Sequence, residues 1–235
     1  MTRPVLFAGP TIHGLAPGLL EGLDVRPPAR LGDVARAIAD RPPAIGLIDG
    51  VFGSAPSVWH RELLHAMSEG IAAFGGGSLG AIRAAELAPF GMTGIGAVYD
   101  AYASGAVVRD DAVLVMQGPA ELSYPPLTIA LIDAEAIIRA APLEPGLRAR
   151  LLQRARRMPF HLRTWSALAE AADLGDAAPV VRSTLKACGR SVKREDAVQL
   201  IGRLRITPGG QARPRPVVHK TGYYDALLRS IADRK

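Results

Sequence analysis

In the first half of the chain, short apolar runs without polar alternation recur between helix-forming stretches, and few folds accommodate that rhythm. The runs are 5–8, 44–48, 71–74 and 112–116, and the helical stretches are 32–39, 57–68, 78–87 and 95–103. A strand with one wet face alternates polar and apolar side chains, whereas a strand apolar throughout needs cover on both faces. The expected fold is therefore α/β: a mostly parallel sheet with flanking helices, Rossmann-like in its N-terminal part. Right-handed crossovers then bring Gly9-Pro10, Asp49-Gly50 and residues 75–77 to one sheet edge, where such folds place their sites. Ser78, Asp49 and Thr11 gain interest from that convergence.

After Pro125-Pro126 the pattern becomes helical, with segments at 127–139, 145–157, 165–172, 178–187 and 194–204. Pro142, Pro159, Leu174-Gly175 and Gly189 supply the turns. This divides the chain into an α/β domain at 1–124 and a helical segment packed on it at 125–206. A flexible C-terminal arm follows at 207–235, with a short helix near 223–232.

Composition narrows the function. No apolar run approaches the ~20 residues of a membrane span, and the N-terminal apolar stretch is too short for a signal peptide. A lone cysteine, Cys188, cannot form an internal disulfide and fits a reducing cytoplasm. The net charge of +6 comes from 28 basic and 22 acidic residues. Most of the basic excess lies after residue 145 with little aromatic material between, so nucleic-acid stacking is disfavoured. A basic face for an acidic protein partner is the better reading.

The chemistry concentrates at Gly76-Gly77-Ser78-Leu79-Gly80, a G-x-S-x-G turn between a strand and a helix. Such a turn presents a nucleophile, cradles an anion on free N–H groups, or lets its serine cap the following helix. A Ser–Asp–His triad would need His161 or His219, neither in a strand-end context. A Ser–Lys pair is the other common way to activate a hydroxyl. Ser57 with Glu62 reads as a helix cap, Asp110-Asp111 as a solvated turn, and Lys193-Arg194-Glu195-Asp196 as a charged helix start. No metal site and no cofactor is expected.

In combination and order, these segments resemble TfuA-like proteins. The matching pieces are Val5-Leu-Phe-Ala-Gly-Pro10, Gly32-Asp33-Val34, Ile45-Gly-Leu-Ile-Asp-Gly-Val-Phe52, Pro56-Ser-Val-Trp-His-Arg-Glu62 and residues 75–87. Phe90-Gly-Met-Thr-Gly-Ile-Gly96, Asp110-Asp111, Gly118-Pro-Ala-Glu121 and Lys193-Arg-Glu-Asp-Ala197 complete them. The resemblance implies a partner of YcaO enzymes in peptide-backbone thioamidation, as in the biosynthesis of ribosomal peptide natural products. It implies hydrolysis of the C-terminal thiocarboxylate of a ThiS-like sulfur carrier by a Ser–Lys pair, and help for YcaO in engaging its substrate. The serine falls on Ser78 and the lysine on Lys193.

Gly76, Gly77, Leu79, Gly80 and Arg83 are then the expected oxyanion and anion-binding groups, with Asp49, Ser57, His60 and Glu86 in support. Small residues at 75–77 are expected to admit a slender carrier tail. Two departures stand out: the family often has two adjacent serines where this chain has Gly77-Ser78, and Arg61 stands where lysine is common. Arg83 has an alternative in an i, i+3 ion pair with Glu86. Lys193 must be neutral to take a proton, which requires a pKa lowered from ~10.4. Two rival functions remain: a non-catalytic adaptor that docks YcaO or the carrier, and a Rossmann-like nucleotide-binding module. The latter lacks a G-x-G-x-x-G after its first strand.

Overall fold

A computed structural model describes residues 2–53, 55–207, 215–218 and 221–232. Five parallel strands, β1 (Val5–Phe7), β2 (Asp24–Arg26), β3 (Ala44–Leu47), β4 (Ala72–Gly76) and β5 (Thr93–Ile95), form one sheet in the order β2-β1-β3-β4-β5. The order reverses between β1 and β3, the switch point at which doubly wound sheets open a crevice. The helices are α1 (Asp33–Ile38), α2 (His60–Ser68), α3 (Leu79–Leu87), α4 (Ala97–Ala103), α5 (Leu131–Ala140), α6 (Pro145–Arg157), α7 (Trp165–Ala171), α8 (Ala178–Ala187), α9 (Val192–Arg205) and α10 (Gly222–Ala232).

The apolar runs divide between two faces with the period of two that a strand imposes. Val5, Phe7, Ile45, Leu47 and Ala73 pack with Val34, Leu63 and Ala84 of α1, α2 and α3. Leu6, Ile48 and Phe74 face the other way, against Ala197, Leu200, Ile201 and Leu204 of α9. A β-carbon at Gly46 would stand 2.6 Å from Leu204 Cδ1 and 2.8 Å from Leu200 Cδ2, so the absent side chain lets α9 lie close on the sheet. The second cover of the α/β core thus comes from late in the chain. Helices α5 to α8 bury a core of their own, built around Ile138, Leu151, Leu168 and Leu185.

The helical assignments after residue 126 hold within a few residues, and α6 and α8 coincide with the expected spans. Residues 112–116, expected as a strand, are not one. Asp110–Ala112 is a 3-10 turn, and the chain beyond it crosses the sheet edge as coil, fastened by Met116 N donating to Thr128 Oγ1 (2.7 Å) and by a bridge from Gln117 to Pro126. Burial of Val113 and Leu114 explains their apolar character without any strand. Ser57 does not cap α2. Trp59 occupies that position, and Glu62 accepts the Trp59 N–H at 3.0 Å.

The same fully buried Glu62 accepts from Gly32 N (2.9 Å) and Ala35 N (3.1 Å), so one carboxylate serves the starts of two helices. Burial raises its pKa. Helix α10 seats Tyr224 in the protein, its hydroxyl 2.9 Å from His65 Nδ1. Of the expected arm, residues 208–214, His219, Lys220 and 233–235 lie outside the described residues. Among the described residues no helix is long and apolar enough to cross a membrane.

Candidate active site

The carboxyl ends of β1, β3 and β4 meet at the switch point, as crossover handedness requires. Asp49, just beyond β3, is 2 % exposed. Its carboxylate accepts from Gly9 N (2.9 Å), Thr11 N (3.0 Å) and Thr11 Oγ1 (2.6 Å). Those bonds fasten the loop after β1 to the end of β3 and fix one wall of a cleft of about 640 Å³. Pro10, Asp49, Ser78, Val113, Met116 and Phe160 are among its lining residues.

The turn after β4 combines tight packing with a free hydroxyl. A β-carbon at Gly80 would overlap the Leu47 carbonyl, and one at Gly75 the Gly80 carbonyl, so α3 starts almost in contact with the sheet. At Gly76 it would stand 2.6 Å from Ile95 O. Gly77 has φ of +69°, open to glycine at little cost. Residues 75–77 are therefore filled against protein backbone, and the expected opening for a carrier tail is not there; the cleft lies on the Ser78 side. Ser78 precedes α3 without capping it, and its hydroxyl has no hydrogen-bond partner among the described residues.

The turn's N–H groups are partly committed. Gly80 N donates to Ile48 O (3.0 Å) and Ser78 N to Gly76 O (2.7 Å). The N–H groups of Gly77 and Leu79 have no hydrogen-bond partner among the described residues. Those two are the donors left for an anion, while the Leu79 side chain covers Gly50.

Lys193, in the first turn of α9, is 3 % exposed, and its main-chain carbonyl abuts Gly77. Its ammonium donates to Val113 O at 2.6 Å. Burial lowers its pKa, opposed by the carboxylates of Asp49 and Asp133. Asp133 in turn accepts from Ser191 Oγ (3.0 Å) and Lys193 N (3.3 Å), and burial raises its pKa. Lys193 lines a second cleft of about 300 Å³, with Asp133, Trp165 and Arg190. Pro10 and Val115 border both clefts. The fold thus gathers Ser78, Lys193 and Asp49 at one edge, with the crossing segment at Val113 beside the ammonium.

The remaining expected groups lie elsewhere. Arg83 pairs with Glu86 (2.7 Å) and donates to Val58 O, and His60 Nε2 meets the same Glu86 oxygen at 2.7 Å. None of the three lines either cleft, and the i, i+3 pair is the arrangement Arg83 adopts. Ser57 Oγ is buried and has no hydrogen-bond partner among the described residues. Sequence reasoning missed Asp133 and the role of Asp196. Asp196 accepts from Ala97 N (2.9 Å) and Val98 N (2.8 Å) at the start of α4, and burial pushes its pKa up to about 6. Gly96, directly before α4, carried a signal for the latter, because only a residue without a side chain leaves room for the Asp196 carboxylate.

The family model described as TfuA-like protein matches residues 49–164, about half of the chain. The chain belongs to the TfuA-like family. Its membership implies a role alongside YcaO in thioamidation. The span of this TfuA-like match takes in Asp49, Ser78 and the crossing segment at Val113, and stops at the N-cap of α7. Lys193 lies beyond it. Comparison with curated proteins gave no match.

Proposed function

We propose that this TfuA-like protein hydrolyses the C-terminal thiocarboxylate of a ThiS-like sulfur carrier, with Ser78 as nucleophile and Lys193 as its base, and delivers sulfide to a YcaO partner. The observation that carries the reading is the uncapped Ser78 hydroxyl in one cleft, with Lys193 at the same sheet edge: its main-chain carbonyl abuts Gly77, the residue lines the neighbouring cleft, and burial lowers its pKa. A serine serving only the helix would bond to the α3 backbone.

The chemistry balances in two steps. Ser78 Oγ attacks the thiocarboxylate carbon while its proton passes to neutral Lys193, which requires the amine to leave Val113 O. Collapse of the tetrahedral intermediate breaks the C–S bond, and the proton leaves with sulfur as hydrosulfide. Water then cleaves the ester, giving the carrier carboxylate, free Ser78 and a second proton, which completes hydrogen sulfide. The net change is thiocarboxylate plus water to carboxylate plus hydrogen sulfide. The Gly77 and Leu79 N–H groups serve the oxyanion, a contribution of the kind that affects rate by about 10²–10³ per donor.

Sulfide release from a thiocarboxylated carrier tests the reading. Ser78→Ala is expected to fold as the parent does and to release no sulfide, and release at the parental rate would reject the nucleophile. A protein that binds carrier and YcaO equally well with and without Ser78, and hydrolyses nothing in either form, is an adaptor.

A further inference from the structure

Helix α6 carries five arginines, and they fall into two groups. Arg156 pairs with Glu135 at 2.6 Å, and Arg148 donates to the carbonyls of Ala141 and Leu143. Arg150, Arg154 and Arg157 are exposed, with no ion pair or hydrogen bond from their side chains among the described residues. At 100° per residue the three fall within about 60° of arc, so they form one stripe about 10 Å long on a single helix face. Three positive charges at that spacing lie within about one Debye length of one another and act together. Phe160, three residues beyond Arg157, lines the cavity that holds Ser78, so the chain leads from the end of the stripe into the wall of the cleft.

We propose that Arg150, Arg154 and Arg157 dock an acidic face of the sulfur-carrier protein, placed beside the tail that enters the Ser78 cleft. The proposal rests on the reading of Ser78 as the site of thiocarboxylate hydrolysis. Its occupant follows from charge and position. An unpaired cationic stripe selects a negative surface. Ser78 is only 6 % exposed, so a folded surface must stay at the mouth while a slender chain end goes in. A body held on α6 with its tail in the cleft satisfies both conditions.

The test compares two probes on the full-length protein: a thiocarboxylated ThiS-like carrier, and a short synthetic peptide thiocarboxylate with the same C-terminal sequence. Replacing Arg150, Arg154 and Arg157 together by Glu is expected to raise KM for the carrier by roughly tenfold or more and to remove most of its salt dependence. KM for the peptide, too short to reach α6, is expected to stay within about twofold on the same basis. Gln at the three positions is expected to give an intermediate KM. A carrier KM and salt response equal to those of the parent overturn the proposal. So does an equal rise for both probes, which locates the effect in the cleft, or a loss confined to YcaO or RNA binding. Sulfide release surviving in Ser78→Ala counts instead against the hydrolytic reading itself.

Discussion

Gly77 and Lys193 meet main chain to main chain: a β-carbon on Gly77 would stand 2.9 Å from the Lys193 carbonyl oxygen. The left-handed turn before the serine and the first turn of α9 are thus fitted to each other. Any side chain at position 77 meets two obstacles, a φ of +69° and the carbonyl. Gly77→Ser is expected to destabilise the protein by about 1–3 kcal/mol in urea denaturation and to lower sulfide release. A Gly77→Ser protein as stable as the parent would contradict this packing.

Asp49 is the fastening of the switch point. Asp49→Ala leaves the N–H groups of Gly9 and Thr11 and the Thr11 hydroxyl without their acceptor, with an expected loss of about 2–4 kcal/mol. Thr11→Val removes only the hydroxyl's bond and is expected to lose about 1 kcal/mol. Urea midpoints for the two variants check the order, and equal losses would mean that the backbone bonds to Asp49 contribute nothing.

Two buried groups give stability opposite dependences on pH. The pKa of Asp196 rises from its ordinary value to about 6 on folding, so the folded protein binds the extra proton between about 4 and 6. Its contribution is present below that window and is lost as pH rises through it. The pKa of Lys193 falls on folding, so the unfolded chain holds the extra proton over a window ending near the ordinary lysine value. Its contribution is present above that value and is lost as pH falls through the folded pKa. Thermal denaturation against pH is expected to show Asp196→Asn flattening the acidic limb and Lys193→Met the alkaline one. An unchanged alkaline slope in Lys193→Met would mean that the lysine is not desolvated.

The elements legible in the sequence were those whose burial is continuous. β1, β3 and β4 are apolar throughout because helices cover both faces, and α6 and α8 show clean helical periodicity between turns. β2 and β5 escaped for opposite reasons. Asp24-Val25-Arg26 is an edge strand with charged ends, where Arg26 pairs with Asp24 and Asp40. Thr93-Gly94-Ile95 is a short edge whose glycine makes room for the Tyr99 ring. Residues 112–116 misled because burial of Ala112, Val113 and Leu114, without strand pairing, made the run apolar.

At the candidate site, Ser78 and Asp49 were readable because strand ends converge by topology. Lys193 was singled out as a residue, while its neighbours were not, because they come from separate parts of the chain. Val113 reaches it from the crossing segment and Asp133 from α5, and no local spacing encodes either contact.

The replacement of Lys193 also separates catalysis from docking. Lys193→Met keeps the length and apolar stem of the side chain and removes the base. Sulfide release is expected to fall by about 10²-fold or more while carrier binding stays within a few-fold. Parental release by Lys193→Met would remove the lysine from the chemistry, and a loss of binding with release intact would make it part of a docking surface.

The most direct test of the central claim is the covalent intermediate. Mixing the protein with thiocarboxylated carrier, quenching in acid and measuring intact mass is expected to reveal a species equal to the two proteins less one hydrogen sulfide. Peptide mapping is expected to place the ester on Ser78, and Ser78→Ala is expected to give neither adduct nor sulfide. Sulfide release from a folded Ser78→Ala protein at the parental rate, with no adduct on the parent, would contradict it.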